Sequence, residues 1–302
     1  MQNALTIDLE DYYHVTAFAD GSGSAGWGSR PSRIEHNTAK LLGLLALANC
    51  RATFFCLGWI AEKYPFLIRE IASAGHEIAC HSNRHRFVYS MTPPEFKEDT
   101  SRAKGLLEDS SKTQVRGYRA PSFSITENSQ WAFEILASLG FTYDSSIFPV
   151  RHVDYGMPKA PRFAFRIATS FGPLVEFPMS TLALGSLRCP IAGGAYFRFL
   201  PYWFTRWGIG YINRQENNSV CVYLHPWELD PEQPRMQGDP TARARHYLGL
   251  RGTEMKLMRL LKEIEFCPLG TLIQGLNPPT LDPDSGIGNQ GGITPLPLDS
   301  HL

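Results

Sequence analysis

The chain has 302 residues, of which 43% are hydrophobic and 19% charged; that fits one or two ordinary globular domains, and α/β barrels of this size are routinely single. Lys+Arg and Asp+Glu both number 29, so there is no net field to draw nucleic acid or anionic lipid, which argues against a polyanionic partner. The opening MQNALTIDLED has neither the basic nor the apolar segment of a signal peptide and no apolar run of about 18 residues follows, so the expected location is cytoplasmic, without a membrane span.

Taken in order, ALTIDLE predicts a first strand with Asp8 and Glu10 on one face by the two-residue period, and Asp11 where the strand ends. Ala19 to Pro31 is Gly/Ser-rich and reads as a loop carrying Trp27. Ser32-Arg-Ile-Glu35 has capping-box spacing and opens the helix HNTAKLLGLLALA. RATFFCLGWI predicts a buried strand and EKYPFLIREIASAG a helix ended by Gly75. HEIAC is then a short strand running into His81, with His85 four residues on. Thr92-Pro-Pro-Glu95 is a second capping box, with prolines in the first turn of a helix to Asp109. QVRGYRAPSFS, ENSQWAFEILASLG and FTYDSS continue as strand, helix and strand.

Alternating strands and helices with short connections predict an α/β fold with a parallel sheet, at this length a distorted (β/α) barrel. From Ile147 to about residue 275 the pattern is less regular: RHVDYGMPKAPR reads as loop, LVEFPMSTL as strand, YWFTRWGIGYINRQ as an aromatic-rich helix. VCVYLHPWELD is a buried strand ending in His225, and TEMKLMRLLKEIE a helix. The domain is thus expected over 1–275, with 147–275 its less regular half. Residues 276–302 turn to Pro, Gly, Asp and Ser and predict a disordered tail. The six cysteines (50, 56, 80, 189, 221 and 267) lack Cys-x-x-Cys spacing and read as buried free thiols.

Chemistry-bearing side chains fall at successive strand ends: Asp8, Glu10 and Asp11, then His81 and His85, Arg119, Asp144 and His225. In a parallel barrel these ends share the face that carries active sites. Two neutral imidazoles and a carboxylate suit zinc or a neighbouring divalent ion, with an open position for water. Three carboxylates in four residues are costly to bury unless they bind a cation or share protons. His76 faces away from His81 and reads as a core residue, while His14 is a candidate to line the site. Trp27, Trp203, Trp207 and Trp227 can stack on sugar faces, although aromatic residues at such spacings usually serve the core.

The motifs TIDLED, ATFFCLG, HSNRH, RAPSFS, YDSS and LHPWELD, in this order over roughly residues 4 to 270, resemble those of polysaccharide deacetylases of the NodB-homology type, carbohydrate esterase family 4. TIDLEDYYHV and YDSSIFP resemble the subfamily encoded with exosortase (PEP-CTERM) exopolysaccharide systems. The resemblance implies a distorted barrel that binds zinc, with cobalt, nickel or iron as alternatives, and removes N-acetyl groups from an amino-sugar glycan or a lipid-linked precursor. It makes Asp8 the general base, Arg119 the residue that orients the base, His225 the general acid, Asp144 the residue that positions the acid, and His81 and His85 metal ligands. The family's opening has two adjacent Asp residues, base then ligand, but Leu9 follows Asp8 here, so Glu10 and Asp11 compete for the third ligand position, with Glu10 favoured. The oxyanion would be held by the metal and a backbone N–H between Tyr118 and Phe123. An exopolysaccharide synthesis complex at the inner membrane face is the partner and place this implies. Two rivals are a hydrolase of small cyclic amides or ureides, as in allantoinase-like relatives, and a non-catalytic sugar-binding member.

Overall fold

The computed structural model describes residues 1–15, 18, 23–152, 155–185, 187–191 and 193–281. The first half alternates strand and helix: β1 (Asn3–Leu9), α1 (Ile34–Leu47), β2 (Thr53–Cys56), α2 (Gly58–Lys63), α3 (Pro65–Ser73), β3 (Glu77–Cys80), α4 (Pro93–Ser111), β4 (Gly117–Tyr118), α5 (Ala132–Ser138) and β5 (Tyr143–Asp144). The second half runs β6 (Phe165–Ile167), β7 (Leu174–Glu176), β8 (Thr181–Leu184), β9 (Leu187–Pro190), α6 (Gly194–Phe199), α7 (Tyr202–Gln215), β10 (Cys221–Leu224), α8 (Pro240–Tyr247), α9 (Leu250–Glu263), β11 (Phe266–Cys267) and α10 (Leu269–Gln274).

One sheet carries both halves, in the order β10-β1-β2-β3-β4-β5-β7-β6, parallel except for the β6–β7 pair. The short β11 pairs with the start of β1, and β8–β9 forms a separate hairpin. The sheet curls into a distorted (β/α) barrel that is not closed by pairing between β6 and β10 among the described residues. Because β1 pairs with β2 on one side and β10 on the other, the last long strand returns beside the first, bringing His225 to the end of β1.

Strand alternation divides the core in two. Leu5, Ile7, Leu9, Phe54, Cys56, Ile78 and Cys80 point outward and pack under the helices. Ala4, Phe55, Ala79, Tyr143, Cys221 and Tyr223 form the inner cluster. Thr6, Asp8 and Glu10 continue the inner row of β1, so polar groups stand on the axis of the barrel.

Several local expectations changed. The first box does not form as expected: the N-cap of α1 is Arg33, without a side-chain bond, and the Ser32 hydroxyl donates to Asp11 Oδ2 at 2.8 Å while accepting from Ile34 N at 3.3 Å. The second box does form, with Glu95 Oε2 accepting from Thr92 N at 2.8 Å. The strand read in RATFFCLGWI stops at Cys56, because Gly58 and Trp59 donate to Ser82 O and Asn83 O and open α2 at once. LVEFPMSTL divides into β7 and β8. Residues 277–281 are seated on β6: Arg166 N donates to Pro279 O, and Leu281 N to Arg166 O. The remaining expected tail, 282–302, lies outside the described residues, as do residues 19–22 of the Gly/Ser-rich loop and residues 153–154 of the Pro-rich one. All six cysteines are free; Cys50 and Cys189 are half-buried and the others buried.

Candidate active site

At the C-terminal ends of β1 and β3, Glu10 Oε1 stands 3.0 Å from His81 Nε2 and 2.9 Å from His85 Nε2. His81 directly continues β3, and its Nδ1 lies 2.8 Å from the backbone carbonyl of Arg119. His85 returns through a turn in which Ser82 (φ 66°) and His85 itself (φ 53°) both take the left-handed conformation, held by Ser82 Oγ accepting from His85 N. Left-handed non-glycine residues cost energy and persist where surrounding structure enforces them.

A carbonyl only accepts, so His81 Nδ1 carries the proton and, in the neutral ring, Nε2 presents a lone pair to a carboxylate oxygen. Two acceptors at 3.0 Å need a proton or a cation between them. One donor atom from each of Glu10, His81 and His85 lies within 4.8 Å of the others, a set of two nitrogens and one oxygen that suits zinc or another first-row divalent ion. Burial alone would raise the Glu10 pKa, but His85 and His81 hold the carboxyl well below its usual range. Asp11 takes no part in this cluster. Its Oδ2 accepts from Ser32 Oγ and Arg33 N, both at 2.8 Å, and Oδ1 from Tyr12 N at 2.9 Å. The third expected carboxylate therefore ties the 30–33 segment to β1.

Asp8 is held by Arg119, whose Nη1 donates to Asp8 Oδ1 at 2.7 Å and to Thr6 Oγ1 at 2.8 Å. The guanidinium is fully buried, 4.1 Å from the Phe55 ring centroid, and also donates to Ser145 O and Oγ. The other Asp8 oxygen faces His225, with Oδ2 to Nε2 at 4.0 Å.

His225 is oriented by Glu228, not Asp144. Glu228 Oε1 lies 2.6 Å from His225 Nδ1 and accepts from His225 N at 3.2 Å. Glu228 is itself fixed by Arg198 Nε at 2.9 Å, and Arg198 donates three further N–H groups to the carbonyls of Arg245, His246 and Leu248. Burial would lower the His225 pKa, but the Glu228 hydrogen bond, with Glu10 and Asp8 nearby, pushes it up to about 9. Asp144 bonds Ser146, 2.7 Å to its hydroxyl and 3.1 Å to its amide, and shares a buried carboxyl pair with Glu176. Sequence reading missed Glu228 and Arg198. The His-x-x-Glu spacing in LHPWELD was a usable signal, since a one-turn offset after Pro226 brings the carboxylate back to the histidine; nothing in the sequence ties Arg198 to it.

Asp8, Glu10, His81, His85, His225 and Glu228 line one cavity of ≈ 670 Å³ with Phe87, Phe123, Tyr155, Tyr223 and Trp227 on its walls. Tyr223 fits because Gly193 (φ +147°) has no side chain; a Cβ there would stand 2.1 Å from the tyrosine ring. Of the four tryptophans considered for sugar stacking, Trp227 lines the cavity, Trp27 is buried against His14 and Trp59, and Trp203 and Trp207 are exposed on α7. His14 does not line it: Nδ1 accepts from Asp11 N at 2.9 Å. His76 accepts from Ala52 N in the core. The amides of Arg119, Ala120 and Phe123 bond Cys80 O, Ser146 Oγ and Ala120 O, so these three candidate oxyanion donors are engaged in the fold.

The fold is a distorted (β/α) barrel with Glu10, His81 and His85 gathered at its strand ends. Residues 15–143 match the polysaccharide deacetylase family, and residues 145–274 match a domain of unknown function, DUF3473. Residues 15–143 thus carry a NodB-type polysaccharide deacetylase domain match, and the second matched region completes the same sheet. The first match starts after Asp8 to Asp11 and ends before His225, so the site draws on more than either matched region.

Among curated proteins, the chain is 33% identical over 98 residues to a peptidoglycan-N-acetylglucosamine deacetylase of Bacillus cereus, 32% of this chain and 36% of that protein. It is 29% identical over 140 residues to a peptidoglycan deacetylase of Helicobacter pylori, 44% of this chain and 47% of that one. The chain thus spans less than half the length of these relatives. Among solved structures, a candidate polysaccharide deacetylase from Mycobacterium smegmatis superposes with a TM-score of 0.60 at 22% identity, covering 92% of each chain. An allantoinase gives 0.57 at 14% identity, covering 90% of this chain and 88% of that one. Both likenesses concern the fold. No helix among the described residues is long and apolar enough to cross a membrane.

Proposed function

We propose that the protein is a divalent-metal-dependent hydrolase that removes acetyl groups from N-acetylated amino sugars of a glycan. The observation that carries this reading is the position of Asp8. One oxygen is fixed by Arg119, the other faces His225 Nε2 at 4.0 Å, and the Glu10-His81-His85 cluster begins two residues along the same strand face.

Glu10, His81 and His85 would hold the metal, which when bound polarises an amide carbonyl and lowers the pKa of water to roughly 7. Arg119 keeps Asp8 oriented, leaving Oδ2 to accept the proton of the attacking water. Water adds to the acetyl carbon, the C–N bond breaks, and His225 Nε2 delivers a proton to the departing amine. Glu228 holds Nδ1–H and stabilises the charged ring, so His225 starts as the acid. The products are acetate and a free amino sugar. The aromatic walls give sugar rings apolar faces to lie against.

Zinc is the metal the donor set favours. The glycan class is supported by the deacetylase relatives, and the TIDLEDYYHV and YDSSIFP stretches support a place in exopolysaccharide synthesis.

The test is acetate release from N-acetylhexosamine oligomers by the metal-stripped protein and after adding back zinc or cobalt, with Asp8→Asn and His81→Ala alongside. Release that requires metal and both residues is the expected result. A protein that binds one metal tightly yet releases no acetate would shift the assignment to small cyclic amides.

A further inference from the structure

The helix read from sequence as aromatic-rich is not a core helix on its outer side. Phe199, Trp203, Trp207 and Tyr211 follow one another at four-residue spacing and are 42%, 67%, 44% and 37% exposed. On α7 such spacing keeps side chains on one face. Rings Trp203, Phe204, Trp207 and Tyr211 run in succession with centroids 5.7, 5.6 and 5.9 Å apart. The neighbouring α9 extends the face: Tyr202 lies under the Arg259 guanidinium at 4.2 Å, and Arg206 bonds Glu263 at 3.1 Å. Leu248 and Met255 are 63% and 75% exposed there.

The charge on this face is one-sided. α7 carries Arg206 and Arg214 and no acid, and α9 has four cations, of which Lys256 is turned to the carbonyls of Phe197, Arg198 and Leu200, against two acids. Of these acids Glu263 is shared by Arg206 and Arg259, and Glu254 pairs with Lys40. The chain's zero net charge conceals this local excess.

Exposed Trp, Tyr and Phe interleaved with Arg and Lys are the chemistry of a surface that sits at a lipid headgroup boundary. We propose that the outer face of α7 and α9 docks on an anionic lipid bilayer, as a peripheral contact without a membrane span. The face adjoins the cavity, since Arg198 lines it and Phe199 is the next residue. The proposal does not depend on the deacetylase reading.

Vesicle co-sedimentation of the full chain tests it, using phosphatidylcholine alone and a phosphatidylcholine and phosphatidylglycerol mixture, at low and high salt. Binding is expected with the anionic mixture and should weaken with salt. Trp203→Ser with Trp207→Ser should reduce binding at least about tenfold. Arg214→Glu with Arg251→Glu should reduce it by about 25-fold or more. Thermal melts and circular dichroism should match the parent protein in both variants. Absence of sedimentation with either vesicle, or binding unchanged in the tryptophan variant, overturns the proposal. So does a dimer that the tryptophan variant converts to monomer without any vesicle binding, or retention on a glycan matrix in place of vesicles.

Discussion

The two halves of the molecule position their charged groups by different means. In residues 1–144, Asp8, Glu10 and His81 are set by strand register: alternate residues of β1 and the end of β3 must face the barrel axis once the sheet forms. In residues 145–281, strands are short and connections irregular, and His225 is set instead by a chain of side chains, from Glu228 to Arg198 to three backbone carbonyls near the α8–α9 junction. Register is fixed by many hydrogen bonds together, whereas a side-chain relay is as firm as its weakest buried link.

The largest expected effects lie in the first half. Asp8→Asn should keep a hydrogen bond to Arg119 yet lower kcat for acetate release by roughly 10² to 10⁴ fold. Glu10→Gln should remove tight metal binding, measured as metal per chain, while Asp11→Asn leaves metal content near that of the parent. Metal loss in the Asp11 variant alone would reverse the ligand assignment.

In the second half, Arg198→Ala leaves Glu228 buried without its cation and frees three carbonyls, so stability should fall by about 3–5 kcal/mol in chemical denaturation. Glu228→Gln is gentler on the fold and sharper on mechanism. With His225 raised to about 9, the acid is protonated at neutral pH and the rate should fall as pH rises through about 9. Removing the carboxylate lowers that pKa, so the alkaline limb should move down by about one unit or more. An unmoved limb would return the positioning role to Asp144.

The smallest effect is expected at Asp144→Asn. Burial, and then Asp144, hold the Glu176 carboxyl well above its usual range. An acid with a raised folded pKa loses stability as pH climbs from the ordinary carboxylate range through that higher value. The Asn variant should flatten this decline and leave the pH profile of the rate unchanged.

What could be read in advance follows this division. The pair His81 and His85, the run of Asp8 to Asp11, the second capping box and the helix Tyr202–Gln215 were legible because local spacing decides them. Ser32 misled because its hydroxyl had a better partner 21 residues away in Asp11. Asp144 misled because a strand-end carboxylate can serve a buried pair as readily as a histidine. Trp203 and Trp207 looked like core residues because periodicity shows that residues share a face but not whether another element covers it.

The sequence by itself determined the alternating α/β order, the inward row of β1 and the donor types available for a metal, since these depend on chain periods and side-chain chemistry. Tertiary structure decided which carboxylate meets the histidines, which one meets His225, and which aromatic residues remain in solvent. Those outcomes depend on the closing of β10 against β1 and on the packing of α6 to α9, where groups far apart in the chain compete for the same few buried partners.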